Sequence, residues 1–261
     1  MLLTVDIGNT NTSFCVFDDD EIVYTFSITT DVNKLCDEYG ITILNLIKNA
    51  NLENKITFAI VSNVVAQLDD VIKEAIEKYL KVEVHLISYK DKLPFKIDID
   101  EPKSLGADRI ANATAVCDKY KAPIIVIDFG TATTFDIIDK NKNFVGGLIA
   151  PGLMIQAKSL AQFTSKLPKI RIEAPKNAVA KNTIDAMMAG IVIGHSKMIE
   201  GMIEKSEQEL GENAYVIATG GLSSVLVDCM NRKFDLIDKN LTHKGIKRIY
   251  EINYGKHSIK N

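Results

Sequence analysis

Leu2-Leu3-Thr4-Val5-Asp6-Ile7-Gly8-Asn9-Thr10-Asn11-Thr12-Ser13-Phe14-Cys15-Val16-Phe17 is the stretch on which the fold turns. Leu2–Val5 reads as a buried strand, because aliphatic and β-branched residues follow one another without a helical repeat. Ser13–Phe17 reads as a second strand. Between them, Gly8 lets the backbone approach a bound group closely. Asn9, Thr10, Asn11 and Thr12 offer amides, hydroxyls and backbone N–H groups suited to phosphate oxygens. Asp6, at the carboxyl end of the first strand, is placed to hold a metal ion with its water shell. Taken alone, the segment reads more readily as a hairpin turn with a capping Asp.

An echo in the second half of the chain decides between them. Ile124-Ile125-Val126-Ile127 leads into Asp128-Phe129-Gly130-Thr131-Ala132-Thr133-Thr134, and Phe135–Asp139 is again strand-like. A third strand follows each copy, Ile22–Ile28 in the first and Phe144–Ile149 in the second. An internal repeat carries more weight than either motif alone. Two β-β-β units, each followed by helices, resemble the duplicated actin-like (ribonuclease H-like) ATPase fold of the sugar-kinase and actin superfamily. That resemblance implies an α/β protein with two lobes around a nucleotide cleft, with a polar turn from each lobe on the phosphates. A dinucleotide-binding fold fits less well, since neither turn is Gly-x-Gly-x-x-Gly opening directly into a helix.

Composition narrows the classes. At 261 residues the chain can bury a sizeable core and suits two small lobes. Net charge is −3 with no basic stripe, which argues against nucleic acid as a partner. The four cysteines, Cys15, Cys36, Cys117 and Cys229, lack Cys-x-x-Cys spacing and read as small apolar residues in a reducing compartment. Met1-Leu2-Leu3 enters a strand at once, leaving no room for a signal peptide, and no apolar run approaches a membrane span. The expectation is a soluble, cytoplasmic protein without membrane or nucleic-acid partners.

Further along, Lys34–Ala50 carries a helical stripe, Lys55–Val61 is a buried strand, Leu68–Leu80 an amphipathic helix and Val82–Ile87 a strand. Tyr89–Pro102 is a polar, Pro-punctuated connection. In Lys103–Tyr120, Ser104 is placed to cap a helix whose first turn holds Gly106-Ala107-Asp108-Arg109. The helix dipole favours Asp108 there but not Arg109. The pair reads either as a solvated ion pair or as a substrate clamp, with the carboxylate taking a hydroxyl proton and the guanidinium an anion. A Gly/Pro bend, Gly146 to Gly152, precedes a helix at Leu153–Gln162, and Leu167–Ala180 is a loop. Asn182 opens a long helix, with Asp185 in capping-box spacing and Gly211 ending it. Its stripe of Ile184, Met187, Met188, Ile191, His195, Met198, Ile199 and Met202 reads as core or subunit contact, with His195 packed and not catalytic. Thr183, with the free N–H groups of that first turn, forms an anion site. Ala214–Ala218 is the last buried strand. Thr219-Gly220-Gly221 after it is either a plain turn or a ledge for a flat ring. The lobes are expected at 1–120 and 121–255, with a polar tail at 256–261.

With these pieces assembled, the chain resembles the type III pantothenate kinases from Met1 to about Asn253. The likeness rests on Asp6–Thr12, Gly106–Arg109, Asp128–Thr134, Gly146-Gly147 through Leu153, Lys181-Asn182-Thr183 and Thr219-Gly220-Gly221, all in order. It implies ATP-dependent phosphorylation of pantothenate to 4′-phosphopantothenate, the first step toward coenzyme A. On matching positions, Asp6, Ile7, Gly8, Asn9, Thr10, Asn11, Thr12 and Ser13 would bind ATP, with Asp6 on its magnesium, and Thr131 would serve the same phosphates. Asp108 would be the catalytic base, and Gly106, Ala107 and Arg109 would line the pantothenate pocket. Asp128 would hold a potassium or ammonium ion. Thr183 would reach pantothenate from the other subunit of a homodimer. Three positions depart from the family: Ile99 replaces a pocket tyrosine, Ser27 an arginine and Cys15 a glycine. The alternatives are a diverged binding or regulatory paralogue without turnover and a same-fold kinase for another small alcohol.

Overall fold

The computed structural model describes residues 1–255. Its first half carries β1 (Leu2–Ile7), β2 (Asn11–Asp18), β3 (Glu21–Thr29), α1 (Cys36–Asn49), β4 (Phe58–Asn63), α2 (Asp69–Leu80), β5 (Glu83–Leu86), β6 (Lys96–Ile97) and α3 (Ala107–Cys117). The second half carries β7 (Ile124–Phe129), β8 (Ala132–Ile138), β9 (Asn143–Pro151), α4 (Leu153–Phe163), α5 (Thr183–Leu210), β10 (Tyr215–Thr219), α6 (Ser223–Leu226), β11 (Leu236–Ile237) and α7 (Leu241–Tyr254).

Two compact units result. The first comprises Met1–Phe95, Asp100–Asp118 and the described residues from Leu241 on, and the second Lys96–Ile99 and Lys119–Asn240. In the first unit the sheet order is β3-β2-β1-β4-β5, with β1, β2 and β3 antiparallel and β1, β4 and β5 parallel. In the second it is β11-β10-β7-β8-β9-β6, so β9-β8-β7-β10-β11 repeats the first sheet strand for strand. The repeat expected from the two Asp-Gly turns is therefore carried through the whole topology.

Alternation along each strand sorts the side chains between the sheet's faces. In the first unit Leu3, Val5, Ile7, Phe14, Val16, Ala59 and Val61 form a core with Tyr39, Ile43 and Ile47 of α1 and Ile72, Ala75 and Ile76 of α2. The other face carries Thr4, Asp6, Ser13, Cys15 and Ser62, matched across the strands by register. There, α7 lies against β1 and β4 and packs on α3. In the second unit Ile125, Ile127, Phe135 and Val216 meet Leu153 and Ala157 of α4 and Ile191, Val192, Ile199 and Ile203 of α5.

Several expectations shift. The last helix falls with the first unit, not with residues 121–240, because Leu241, Ile246 and Ile249 find their burial there. Conversely, the strip Lys96–Ile99 joins the second unit, since β6 pairs with β9 at the sheet's edge. Between these two exchanges the units divide at Asp118 and Lys119, two residues before the expected 120. Ser104 is not a helix cap: it closes a 3-10 turn (Pro102–Ser104) by donating from Oγ to Glu101 O at 2.7 Å. Gly106 takes the cap position of α3. The Met-bearing stripe of α5 packs largely on its own unit, with Met187 buried and Met188, Met198 and Met202 against the core. The tail at 256–261 lies outside the described residues.

Candidate active site

The first turn is built by β1, β2 and the end of β3. Gly8 N donates to Asn11 O (3.0 Å), and Thr30 N donates to Thr10 O (3.0 Å). The Thr30 hydroxyl donates to Gly8 O (2.7 Å) and lies 2.9 Å from Thr12 Oγ1. Thr30 thus holds the turn from below, and nothing in the linear pattern singled it out. Asn9, Thr10 and Asn11 are exposed at the tip, whereas Ile7 has its side chain wholly in the core. Any contact of Ile7 with a ligand is through its main chain. Asp6 stands beside Ser13 on one neighbouring strand and Ser62 on the other, and Ser62 Oγ donates to Asp6 Oδ1 at 3.0 Å.

Gly106 to Arg109 lies at the same end of this sheet. Asn63 closes the turn after β4: its Oδ1 accepts Val65 N (2.8 Å), and its amide donates to Val65 O (2.9 Å) and Asp69 Oδ1 (2.7 Å). Val64 N donates to Ile7 O at 3.1 Å. A Cβ at Gly106 would stand 3.5 Å from Val64 Cγ1, which sets the start of α3 at the carboxyl ends of β1 and β4. The same Cβ would stand 2.5 Å from Asp108 Oδ1. The carboxylate therefore folds back over the bare Gly106, where Oδ1 accepts Arg109 N at 2.8 Å. Burial raises the Asp108 pKa from its ordinary value, against the lowering effect of that N–H and of the Arg109 charge. Ala107 is buried and Arg109 half-buried.

In the second unit the bend and the Gly-Gly turn singled out in the sequence converge on the Asp128 turn. Gly130 N donates to Ala132 O (3.1 Å), and Gly152 N donates to Thr131 O (3.2 Å). Gly220, at φ +88°, leaves room that a Cβ would deny, being 2.6 Å from Phe129 O and 2.8 Å from Asp128 Oδ1. Asp128 is half-buried between Thr134 and Thr219 in register, and Thr131 is exposed. Beneath the turn, Gln156 Nε2 donates to His195 Nδ1 (2.9 Å), so Nε2 bears the ring proton and donates to Thr133 Oγ1 (3.0 Å). Burial lowers the His195 pKa. His195 is a packed residue, as expected. Thr183 is the first residue of α5 and exposed, behind an Asn182 cap that accepts Asp185 N at 3.0 Å and donates to Asp185 Oδ2 at 2.7 Å. Ile99 is half-buried and Ser27 exposed.

Asp6 and Asp128 offer oxygen ligands suited to hard cations. Among the described residues no group of three or more His, Cys, Asp or Glu side chains is placed to hold a metal. A lone carboxylate such as Asp6 fits magnesium, which keeps most of its waters and binds through one or two carboxylates plus substrate phosphates. A missed residue is His243 of α7, which meets Thr4 and Ser13 from 230 or more positions away. Only the folded chain brings it there.

A duplicated sheet with an Asp-x-Gly turn at the corresponding strand ends of each copy is the actin-like fold. Solved structures with this fold include the ethanolamine utilization protein EutJ from Carboxydothermus hydrogenoformans, with 17% identity and a TM-score of 0.57 over 95% of this chain and 89% of that one. Component A of the Acidaminococcus fermentans (R)-2-hydroxyglutaryl-CoA dehydratase has 14% identity and a TM-score of 0.54, covering 98% of both chains. The family model for type III pantothenate kinase matches residues 2–205. Curated relatives called type III pantothenate kinase include one from Syntrophus aciditrophicus, 41% identical over 254 residues, covering 97% of this chain and all of the relative. Another, from Finegoldia magna, is 38% identical over 257 residues, covering 97% of this chain and 98% of that protein. The chain belongs to the type III pantothenate kinase family.

Proposed function

We propose that the protein transfers the γ-phosphoryl group of ATP to the primary hydroxyl of pantothenate, giving 4′-phosphopantothenate and ADP, the first step of coenzyme A biosynthesis in the cytoplasm. The observation that carries this reading is the Asp108 carboxylate, turned back over Gly106 at the end of the sheet that also carries Asp6. The hydroxyl oxygen attacks the γ-phosphorus, the β–γ bridging P–O bond breaks, and the hydroxyl proton passes to Asp108. The step asks chiefly for positioning and charge neutralisation, and the hydroxyl proton leaves late in a loose transition state. A base with raised proton affinity is well matched to that task.

In this reading Asp6 and the turn Ile7–Ser13 bind the ATP phosphates, and Thr131 is an ATP-binding residue of the second unit. Asp6 would hold magnesium, and the ion would supply neutralisation of phosphate charge. Asp128 carries potassium or ammonium, and Gly106, Ala107 and Arg109 line the pantothenate pocket. Thr183 reaches pantothenate from a partner subunit, so the working unit is a homodimer. What supports that assembly is an apolar groove between α4 and α5, lined by Ile155, Leu160, Phe163, Met187 and Ile191, with Ile184 exposed beside it. Sedimentation should show a dimer at assay concentration, and an active monomer would remove Thr183 from the site.

The deciding experiment is ADP release with a panel of small alcohols including pantothenate, in potassium and in sodium with magnesium present. Pantothenate should turn over, faster in potassium, and Asp108→Asn should lower kcat by about 10²–10⁴-fold, the range for losing a general base. A wild type silent on pantothenate but active on another alcohol would assign a different substrate. Silence on every alcohol with nucleotide still bound would favour the binding paralogue, to which Ile99 and Ser27 point.

A further inference from the structure

The face of the first sheet beneath α7 holds a chain of polar contacts that the phosphoryl-transfer reading does not use. Thr4 and His243 are both buried. Thr4 Oγ1 donates its single proton to Cys15 O at 3.1 Å and lies 2.8 Å from His243 Nδ1. With that proton committed, the Thr4 oxygen can only accept, so Nδ1 must carry the ring N–H. Burial disfavours a charged ring, and a neutral imidazole has one N–H alone. His243 Nε2 is then a bare acceptor, and Ser13 Oγ, 3.0 Å away, must donate to it. With the Thr4 proton on Cys15 O, the order of donors runs Ser13 to His243, His243 to Thr4, Thr4 to the main chain.

Ser13 is paired with Asp6 across β1 and β2, on the same face of the sheet. A serine free to rotate there could turn its proton onto the Asp6 carboxylate and occupy a lone pair needed for a cation's waters. We propose that His243 is a positioning residue for the nucleotide turn: it draws the Ser13 proton away from Asp6 and presents Ser13 Oγ as an acceptor for the water shell of a nucleotide-bound divalent cation. Ser13 then meets the nucleotide through metal-bound water, not by donating its hydroxyl to a phosphate. The inference rests on the kinase reading, since it supposes a metal–nucleotide complex on the Asp6 turn.

The test combines two readouts on the full-length protein. Nitrogen-15 NMR of the histidine rings should show His243 as the Nδ1–H tautomer in the absence of ligand, and an Nε2–H ring would overturn the relay. Calorimetric titration with a non-hydrolysable ATP analogue, with and without magnesium, is then compared for wild type, Ser13→Ala and His243→Gln. Ser13→Ala should weaken the magnesium-dependent gain in affinity by about 2- to 10-fold, the worth of one hydrogen bond, and leave pantothenate binding unchanged. His243→Gln, which can still offer an acceptor to Ser13, should restore part of what an apolar His243→Leu loses. Wild-type binding with an unchanged magnesium gain in Ser13→Ala overturns the proposal even if His243→Leu fails to fold. A wild type that does not bind the magnesium–nucleotide complex overturns the kinase reading instead, and the positioning role falls with it.

Discussion

Gly106 is required for space and not for its backbone angles: φ is −60°, open to any residue. What it provides is the room in which the Asp108 carboxylate sits. That placement has a thermodynamic signature. Asp108 keeps its proton to a higher pH when folded than when unfolded, so above its unfolded pKa the unfolded chain binds fewer protons than the native one. Stability contributed at this site is therefore lost as pH rises through the raised pKa and stays lost at neutrality. Asp108→Asn removes the half-buried charge and should be more stable than wild type at pH 7, by a margin that shrinks toward pH 4. Urea titrations of both proteins across that range check it, and a margin independent of pH would show that the carboxylate is not strained by burial. The sequence exposed Asp6, Asp108 and Asp128 because each sits next to a glycine turn or a helix start, which are local features. Thr30 and His243 stayed hidden because their roles are defined by partners brought in by folding, Gly8 and Thr12 for one, Thr4 and Ser13 for the other.

Most strands and helices announced themselves by unbroken aliphatic runs or by apolar spacing. The exceptions are the two-residue strands β6 and β11, which exist only because a sheet edge accepts them, and the helices α6 and α7, which the sequence reading did not name. For α7 a further question is which unit the helix covers. What decides it is close fit: Gly245 of α7 lies on the Ala111 carbonyl of α3, so tightly that an added Cβ would overlap that main chain. Two opposing effects follow for Gly245→Ala. Helix propensity favours alanine by about 1 kcal/mol. Forcing α7 away from α3 costs about 1–3 kcal/mol or more, because the obstacle is backbone and cannot rotate aside. The second effect should win, and the variant should unfold at lower denaturant than wild type. A stabilised Gly245→Ala would mean that the helices separate without loss and that their contact is not a tight one.

Each unit has its own core, yet the first is assembled from three separate stretches of chain. The repeat was legible because both copies keep the same strand, turn and strand. The division was not, because it depends on α7 returning past the whole second unit in sequence. This makes the C-terminal helix a test of how stability is shared. In α7, Leu241, Ile246 and Ile249 are almost completely buried, and His243 anchors Thr4 and Ser13. Burying three aliphatic side chains is worth roughly 5–9 kcal/mol, comparable to the whole stability of a small domain at about 5–15 kcal/mol. The second unit, Lys96–Ile99 with Lys119–Asn240, contains no residue of α7. A chain ending at Asn240 should therefore lose amide-exchange protection in β1, β2 and β4 while keeping it in β7, β8 and β10. Protection retained in β1 would show that α1 and α2 suffice to hold the first sheet. Loss in both sheets together would show that the second unit depends on the first for its stability, despite having a core of its own.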